Sequence, residues 1–213
     1  MSNLRAFGAQ GDGQADDTAA LEHIIEEGDG RIRLPRGSYR ISRTIEIDVT
    51  KRGPISIEGS GGTARIVMTG PGPALRLRGT HDGTGDPGTR PDNVKLLERM
   101  PTISGLEITA EHAEADGLEL VGTMQPVLTS LLIHGVRDGI RLHKRNRNVL
   151  INHCHIYNNT GVGIFFDEVN LHQVNITGNH ISYNRLGGIR LERSEVRNLQ
   201  ITGNDIEYNN HAQ

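Results

Sequence analysis

The strongest constraint on how this chain can fold is a repeat of about 25 residues in its last third. Three segments share an Ile-x-x-x-x-Ile pattern at this spacing: residues 149–156, 174–181 and 199–206. An asparagine follows the second isoleucine at the same distance in each copy. Repeats of this length are typical of solenoids, in which each repeat forms one coil that stacks on the next.

A second repeated pattern, Gly-apolar-x-apolar, indicates short strands. It begins at Gly117, Gly139, Gly163 and Gly188, and residues 74–77 form a looser copy. Apolar residues that alternate with other residues mark one face of a strand. Equivalent residues on stacked coils lie about 4.8 Å apart, so isoleucine columns fill the interior and asparagine columns hydrogen-bond along the axis. The sequence therefore predicts an all-β solenoid, a parallel β-helix of about 25 residues per coil.

The composition suits a narrow core and excludes several classes of protein. Four Tyr, three Phe and no Trp leave few large rings to bury, and a net charge of −3 argues against a nucleic-acid partner. No apolar run is long enough to span a membrane, and the first residues show no signal-peptide pattern. The localisation stays open on this evidence. Cys154 is the single cysteine, which excludes a disulfide framework and predicts a small buried turn residue there.

The first 30 residues predict a cap for the solenoid. Residues 16–27 have a helical pattern that Asp16 or Asp17 can cap and that Gly28 follows. Its apolar stripe comprises Ala20, Leu21, Ile24 and Ile25. Because a solenoid needs its open end covered, we expect this helix to cap the first coil.

The remaining organisation follows from where the repeat is interrupted. Residues 79–100 break the period and are rich in turn-forming residues, which predicts a loop insertion beside the strand at 74–77. Residues 101–213 form the coils, and the whole chain, 1–213, is one domain. The last coil, 199–213, ends without a capping pattern, so we expect a longer solenoid and self-association through this open coil.

Three segments near the N-terminus carry a resemblance to a known family. They are Phe-Gly-Ala-Gln-Gly-Asp-Gly at 7–13, Asp-Asp-Thr-Ala-Ala-Leu at 16–21 and Leu-Pro-Arg-Gly-Ser-Tyr at 34–39. This pattern resembles the N-terminal signature of the pectate-lyase superfamily, in particular the rhamnogalacturonase/epimerase-like right-handed parallel β-helix proteins. The resemblance implies a right-handed coil and a polysaccharide substrate or glycan ligand. Many such enzymes act on uronic acids, and phage tailspikes share the fold.

The outward side chains of the Gly-apolar strands form the candidate site, because alternation directs them away from the core. One column comprises Glu119, Arg141, Phe165 and Arg190, and the next comprises Val121, His143, Asp167 and Glu192. In related β-helix enzymes such a face carries a substrate groove. The Asp-Pro-His motif of alginate epimerases is absent from this sequence, as are the full polygalacturonase and pectate lyase motif sets.

The first functional hypothesis is β-elimination or epimerisation at a uronate. Arg141 or Arg190 would neutralise the sugar carboxylate, with Phe165 and Glu119 as further substrate contacts. His143 would remove the acidic C5 proton. Asp167 would orient the imidazole ring.

Other interpretations stay open. For glycoside hydrolysis, Asp167 and Glu192 on adjacent coils would be acid and nucleophile, and a separation of roughly 5 Å favours retention. Alternating charges are also how a solvated sheet face avoids like-charge repulsion, which indicates a non-catalytic glycan-binding or structural β-helix. The sequence does not decide whether this chain is an enzyme.

A metal site is the weakest of the hypotheses. His155 and His180 align with Asp205, and His153 lies two residues before His155, so these groups share one outer ridge. Stacked polar residues at turns have a structural explanation. We therefore expect no metal and no cofactor.

Overall fold

The computed structural model describes residues 1–83 and 85–211, and its β-strands pair in parallel throughout this part of the chain. The strands are β1 Ser2–Asn3, β2 Asp12–Asp16, β3 Arg31–Arg33, β4 Gly37–Ile41, β5 Ile45–Asp48, β6 Ser56–Glu58, β7 Ala64–Met68, β8 Gly72–Arg78, β9 Thr102–Ser104, β10 Leu106–Ala110, β11 Ala115–Met124, β12 Val127–Thr129, β13 Leu132–His134, β14 Ile140–Asn152, β15 His155–Tyr157, β16 Val162–Thr177, β17 His180–Ser182, β18 Gly187–Glu192, β19 Glu195–Thr202 and β20 Asp205–Glu207. The α-helices are α1 Thr18–Glu27, α2 Val49–Arg52 and α3 Asp92–Leu96, and short 3-10 helices cover Leu4–Phe7 and Pro87–Thr89.

The strands wind into a parallel β-helix with three faces. Face 1 runs through β1, β3, β6, β9 and β12 to the second halves of β14 and β16 and then β19. Face 2 runs through β2, β4, β7, β10, β13, β15, β17 and β20. Face 3 runs through β5, β8, β11, the first halves of β14 and β16, and β18. The long strands β14 and β16 therefore turn the corner from face 3 to face 1.

The core is a stack of aliphatic columns, as the alternation predicts. On face 1, Ile151 pairs with Ile176 and both are fully buried. The other two faces repeat this arrangement with buried Ile133, Ile156 and Ile181 on face 2 and Leu118, Ile140 and Ile164 on face 3. Leu191 continues the face 3 column beside Phe166, but it is 44% exposed because β18 is the last strand of that face.

The asparagine columns hydrogen-bond along the axis, which confirms the prediction for this residue type. Asn159 donates through Nδ2 to Oδ1 of Asn184 at 2.8 Å, and Asn184 donates in turn to Asn209 at 2.9 Å. Asn184 is fully buried and also donates to the carbonyl oxygen of Ile156. Cys154 is buried beside a second such column, and this burial raises the pKa of its thiol to about 11. The cysteine is therefore a packing residue.

The N-terminal signature is built around two aspartates with different partners. Asp17 is buried, and its carboxylate accepts the backbone N–H groups of Gln10 and Gly11 at 2.7 and 3.0 Å. Asp16 accepts the N–H of Thr18 at 2.9 Å, so it serves the start of α1. The helix begins at Thr18, two residues later than expected, because Asp16 is the last residue of β2 and Asp17 binds the preceding turn. Leu21, Ile24 and Ile25 of α1 join the core; its role as a cap stays a prediction.

The interruption at 79–100 lies against the corner between faces 3 and 1. His81 donates its backbone N–H to the carbonyl oxygen of Gly122, and Arg145 donates to that of Gly83 at 3.1 Å. Burial, together with Arg147 and Arg145, lowers the pKa of His81. Residue 84 of this segment and residues 212–213 of the last coil lie outside the described residues.

Candidate functional site

The parallel register brings the predicted site residues onto the outer side of face 3. Arg141 lies beside Glu119 on one side and Phe165 on the other, and Phe165 lies beside Arg190. The second column is formed in the same way by His143, Asp167 and Glu192. The sequence thus predicted which side chains would be neighbours.

Asp167 is one of the two nearly buried carboxylates of this surface, with a side chain only 8% exposed. Arg141 donates to its Oδ2 through both Nε, at 3.0 Å, and Nη2, while Arg193 contacts Oδ1 at 3.1 Å. Arg193 also contacts Glu192 at 3.0 Å and Glu168 at 2.9 Å, and these contacts raise its pKa, most strongly through Glu168. The carboxyl group of Asp167 is therefore held between two arginines.

Glu119 is held in a similar way on the other side of Arg141. Its side chain is 8% exposed and forms an ion pair with Nε of Arg76. Arg141 lies 3.7 Å away. Arg76 also reaches Glu46 at 3.2 Å, so the network crosses neighbouring coils.

The predicted substrate-binding arginines already have acidic partners. Arg141 lies between Glu119 and Asp167, and Arg190 contacts Glu192 at 3.0 Å. The guanidinium of Arg190 also stacks over the ring of Phe165 at 5.8 Å. A sugar carboxylate would have to compete with these partners for either arginine.

His143 differs from its charged neighbours, because its contact fixes a tautomer. Its Nδ1 lies 2.9 Å from the backbone carbonyl oxygen of Asp167. A carbonyl oxygen only accepts, so Nδ1 carries the proton and, in the neutral ring, Nε2 keeps its lone pair. The ring is oriented by the backbone of Asp167 rather than by its carboxylate, which corrects the expected role of that side chain.

A groove with a volume of about 1160 Å³ runs along the outer side of face 1. Six carboxamides line it: Gln125, Asn148, Gln173 and Asn198 in one column, and Asn175 and Gln200 in the next. The sequence analysis did not identify this site. Its signal was a polar column, with Gln125, Asn148, Gln173 and Asn198 recurring every 23 to 25 residues at the start of face 1.

Four of these groove amides share an unusual backbone conformation. Gln125, Asn148, Gln173 and Asn198 all adopt positive φ angles, between 52° and 66°, and the last three lie inside β14, β16 and β19. Within the part of the chain that the structure describes, Oδ1 of Asn148 is buried and has no hydrogen-bond partner. Such a group indicates a missing polar partner.

The outer ridge of face 2 brings together the predicted His180 and Asp205, with Glu207 as a residue that the sequence analysis missed. Nε2 of His180 lies 3.7 Å from Asp205 Oδ2 and 3.8 Å from Glu207 Oε1. These atoms lie within 4.8 Å of one another and could hold a divalent cation. Both carboxylates are exposed, and exposed acidic groups at this spacing are common without a metal. The expectation of no metal stays a prediction.

Comparison with protein families identifies the two parts of the chain. Residues 92–212 match the family described as a right handed beta helix region. Residues 1–70 match the family described as rhamnogalacturonase A/epimerase, pectate lyase-like. Among the described residues, no helix is long and apolar enough to cross a membrane.

Curated relatives match only a short stretch. Mannuronan C5-epimerase AlgE3 of Azotobacter vinelandii is 48% identical over 44 residues, which is 19% of this chain and 2% of that protein. Alginate lyase 7 of the same organism is 46% identical over 44 residues, or 19% of this chain and 5% of that protein. The alignments therefore span a small part of these relatives' length.

Solved structures match nearly the whole chain at low identity. The Dettilon tailspike protein has a TM-score of 0.66 at 15% identity, covering 94% of this chain and 38% of that chain. ORF18 of Geobacillus virus E2 has a TM-score of 0.50 at 15% identity, covering 92% and 52%. Both likenesses concern the fold.

Proposed function

Because the chain belongs to the right-handed β-helix, pectate-lyase-like family, we propose that it processes a uronate-containing polysaccharide by proton abstraction, as a lyase or an epimerase. The observation that carries this proposal is the contact between His143 Nδ1 and the carbonyl oxygen of Asp167. This contact leaves Nε2 as a base on an outer face that also carries Arg141 and Arg190. The short matches to an epimerase and an alginate lyase support the same chemistry.

In the proposed reaction, His143 Nε2 takes the C5 proton of a uronate, whose acidity rises when a cation neutralises the sugar carboxylate. In elimination, the electron pair forms the C4–C5 double bond, the bond between C4 and the glycosidic oxygen breaks, and that oxygen takes a proton from water. In epimerisation, water returns a proton to the opposite face of C5. Arg190 is the better placed cation, because its side chain is 45% exposed against 29% for Arg141.

Glycoside hydrolysis by Asp167 and Glu192 receives less support. Arg193 contacts both carboxylates, at 3.1 and 3.0 Å. This mechanism needs two carboxyl groups with different surroundings, one as acid and one as nucleophile, whereas Arg193 contacts both.

A non-catalytic glycan-binding or structural β-helix is the second candidate function. The ion pairs of Asp167 and Glu119 with arginines favour it, because charges that neutralise one another stabilise a solvated sheet face. Under this alternative, His143 is one more surface side chain of face 3.

The test is incubation of the protein with a panel of uronate polymers in deuterated water. Unsaturated product is followed by ultraviolet absorbance, and deuterium at C5 is followed by NMR. We expect either signal to fall by a factor of about 100 or more in His143→Gln, which is the lower range for a lost general base. His155→Gln, at an exposed histidine of face 2, is the matched control and keeps the wild-type rate. Equal rates in wild type and His143→Gln contradict the proposed base, and inactivity on every polymer favours the non-catalytic alternative.

A further inference from the structure

We propose that the groove on face 1 binds a uronate-containing polysaccharide in an extended conformation, with the chain lying along the solenoid axis. The inference takes its ligand class from the proposed function, but its site is separate from face 3 and does not involve His143. The groove crosses the coils from Arg31 near the N-terminus to Gln200 in β19. A ligand in it would therefore contact several coils at once.

The hydrogen-bonding capacity of the groove is the first argument. Each carboxamide offers two N–H donors and one carbonyl oxygen, which is the mixed set that sugar hydroxyl groups need. In the described residues, the side chains of Asn175 and Gln200 form no hydrogen bond within the protein, and Asn148 Oδ1 is buried without one. Unsatisfied groups of this kind gain more from a ligand than groups that already have partners.

The spacing of the groove is the second argument. Asn175 and Gln200 are direct neighbours on β16 and β19, so their side chains repeat at the interstrand distance of about 4.8 Å. One sugar ring in an extended polysaccharide has a similar length. The neighbouring column continues this repeat, because Gln125, Asn148, Gln173 and Asn198 place one amide on each of four successive coils. A repeating polymer can contact all of these coils, which a short ligand would not do.

The apolar floor and the charges at one end are the third argument. Val127 and Leu150 lie side by side among the amides, and Leu150 is 37% exposed, which suits the C–H faces of sugar rings. The guanidinium groups of Arg31 and Arg99 line the groove without an ion pair in the described part of the chain, and Asp29, which also lines it, accepts from Arg31 only the backbone N–H, at 3.1 Å. Asp29 is held by the N-terminal amine of Met1, which keeps the pKa of this carboxyl well below its usual range. The two arginines favour a chain that carries carboxylates.

The experiment measures binding of fluorescently end-labelled oligogalacturonate and oligomannuronate by fluorescence anisotropy. For the better-bound probe, Asn175→Ala/Gln200→Ala should weaken affinity about tenfold, because each lost hydrogen bond contributes a few-fold. Thr177→Ala/Thr202→Ala is the matched control on the same two strands, outside the groove lining, and should bind like wild type. All four side chains are exposed, so both variants should keep the wild-type unfolding midpoint.

The arginines are tested separately with a neutral oligosaccharide of the same length. Arg31→Ala/Arg99→Ala should weaken binding of the uronate probe several-fold and leave the neutral probe unchanged. Failure of wild type to bind either uronate probe overturns the inference. It is also overturned if Asn175→Ala/Gln200→Ala binds like wild type, or if a neutral probe binds as tightly as the uronates.

The outcome is distinguishable from that of the proposed reaction. His143→Gln should leave groove binding unchanged even if it abolishes turnover. If the wild-type protein shows no turnover but binds the probe, and Asn175→Ala/Gln200→Ala weakens that binding, the result supports this inference and contradicts the proposed reaction. If the protein turns over a uronate polymer and Asn175→Ala/Gln200→Ala binds the probe like wild type, the result supports the proposed reaction and contradicts binding in the groove.

Discussion

Two stacks of carboxamide side chains run along this solenoid, and they differ in what satisfies their hydrogen bonds. The inner stack, Asn159, Asn184 and Asn209, is linked from coil to coil by bonds of 2.8 and 2.9 Å. The outer stack on face 1 repeats with nearly the same period, yet Asn148 Oδ1 has no partner in the part of the chain described. The same chemical group is thus a structural element in one place, whereas in the other we propose that it binds a ligand.

The charged side chains on face 3 combine features of both stacks, because they lie on the outside of the solenoid but have partners within the protein. Asp167 and Glu119 are polar groups on an outer face, but arginines from the same face already contact them. A repeat can therefore place polar groups in columns without deciding their use. Their use depends on whether the protein itself supplies the partners.

The largest expected effect breaks the inner stack. Asn184→Ala should lower the free energy of unfolding by about 3 kcal/mol, because Asn209 and the carbonyl oxygen of Ile156 lose a donor and Asn159 Nδ2 loses its acceptor. Asn175→Ala, in the outer stack, should change it by no more than about 0.5 kcal/mol. Urea unfolding of both variants measures the difference, and similar values would show that the two stacks are equivalent.

The next largest effect tests whether Arg141 on face 3 stabilises the fold or is available to a substrate. Arg141→Met should lower the free energy of unfolding by about 2 kcal/mol, because it takes one cation from Asp167 and Glu119, which are nearly buried. Arg190→Met, at an arginine that is 45% exposed, is the comparison and should cost about 1 kcal/mol or less. Unchanged stability in Arg141→Met, measured by urea unfolding, would show that this arginine is available to a ligand.

A smaller effect is expected on the pH dependence of the free energy of unfolding, which should change when a charged pair is removed and stay the same when an amide is removed. Burial opposes ionisation of Glu107, but His134 and Arg65 more than offset it and hold the pKa of this carboxyl below its usual value. Its contribution to stability is therefore fully present above the unfolded-state pKa of about 4.3 and is lost as the pH falls through the lower folded-state pKa. Glu107→Gln should flatten this part of the pH profile of unfolding, whereas Asn175→Ala should leave the profile unchanged. A profile unaltered by Glu107→Gln would contradict this assignment.

The smallest effect extends an inner stack by one residue. The backbone N–H of Cys154 donates to Asn179 Oδ1 at 2.9 Å, and Asn179 donates to Asn204 at 2.9 Å. An asparagine in place of the cysteine would add one link, so Cys154→Asn should be more stable than Cys154→Ala by about 1 kcal/mol. Thermal unfolding of the pair tests this, and the reverse order would mean that the site is too tight for an amide.

The sequence was sufficient to predict the coils, because in a solenoid the repeat period also determines which residues of neighbouring strands lie side by side. The spacing that aligns Ile151 with Ile176 also aligns Arg141 with Phe165, so the neighbours on face 3 followed directly. The ion pairs did not follow, since they depend on rotamers and on Arg193, which lies after the repeated strand motif. The contact of His143 with a backbone carbonyl is likewise a matter of local geometry.

The groove was missed for a different physical reason. Four of its amides, Gln125, Asn148, Gln173 and Asn198, adopt positive φ and form a column outside the two repeated motifs from which the coils were predicted. The outer shape of face 1 also depends on residues far apart in sequence, such as Arg31, Arg99 and Gln200. Periodicity identifies the columns of a solenoid, but the shape between columns needs coordinates.

The most direct test of this account is a titration of the protein with oligogalacturonate or oligomannuronate, followed by the side-chain NH₂ signals of its asparagines and glutamines in NMR spectra. The account predicts that the signals of Asn148, Asn175 and Gln200 shift, while those of Asn159 and Asn184 stay in place. Shifts confined to the inner stack, or no shift in any groove amide at ligand saturation, would contradict it.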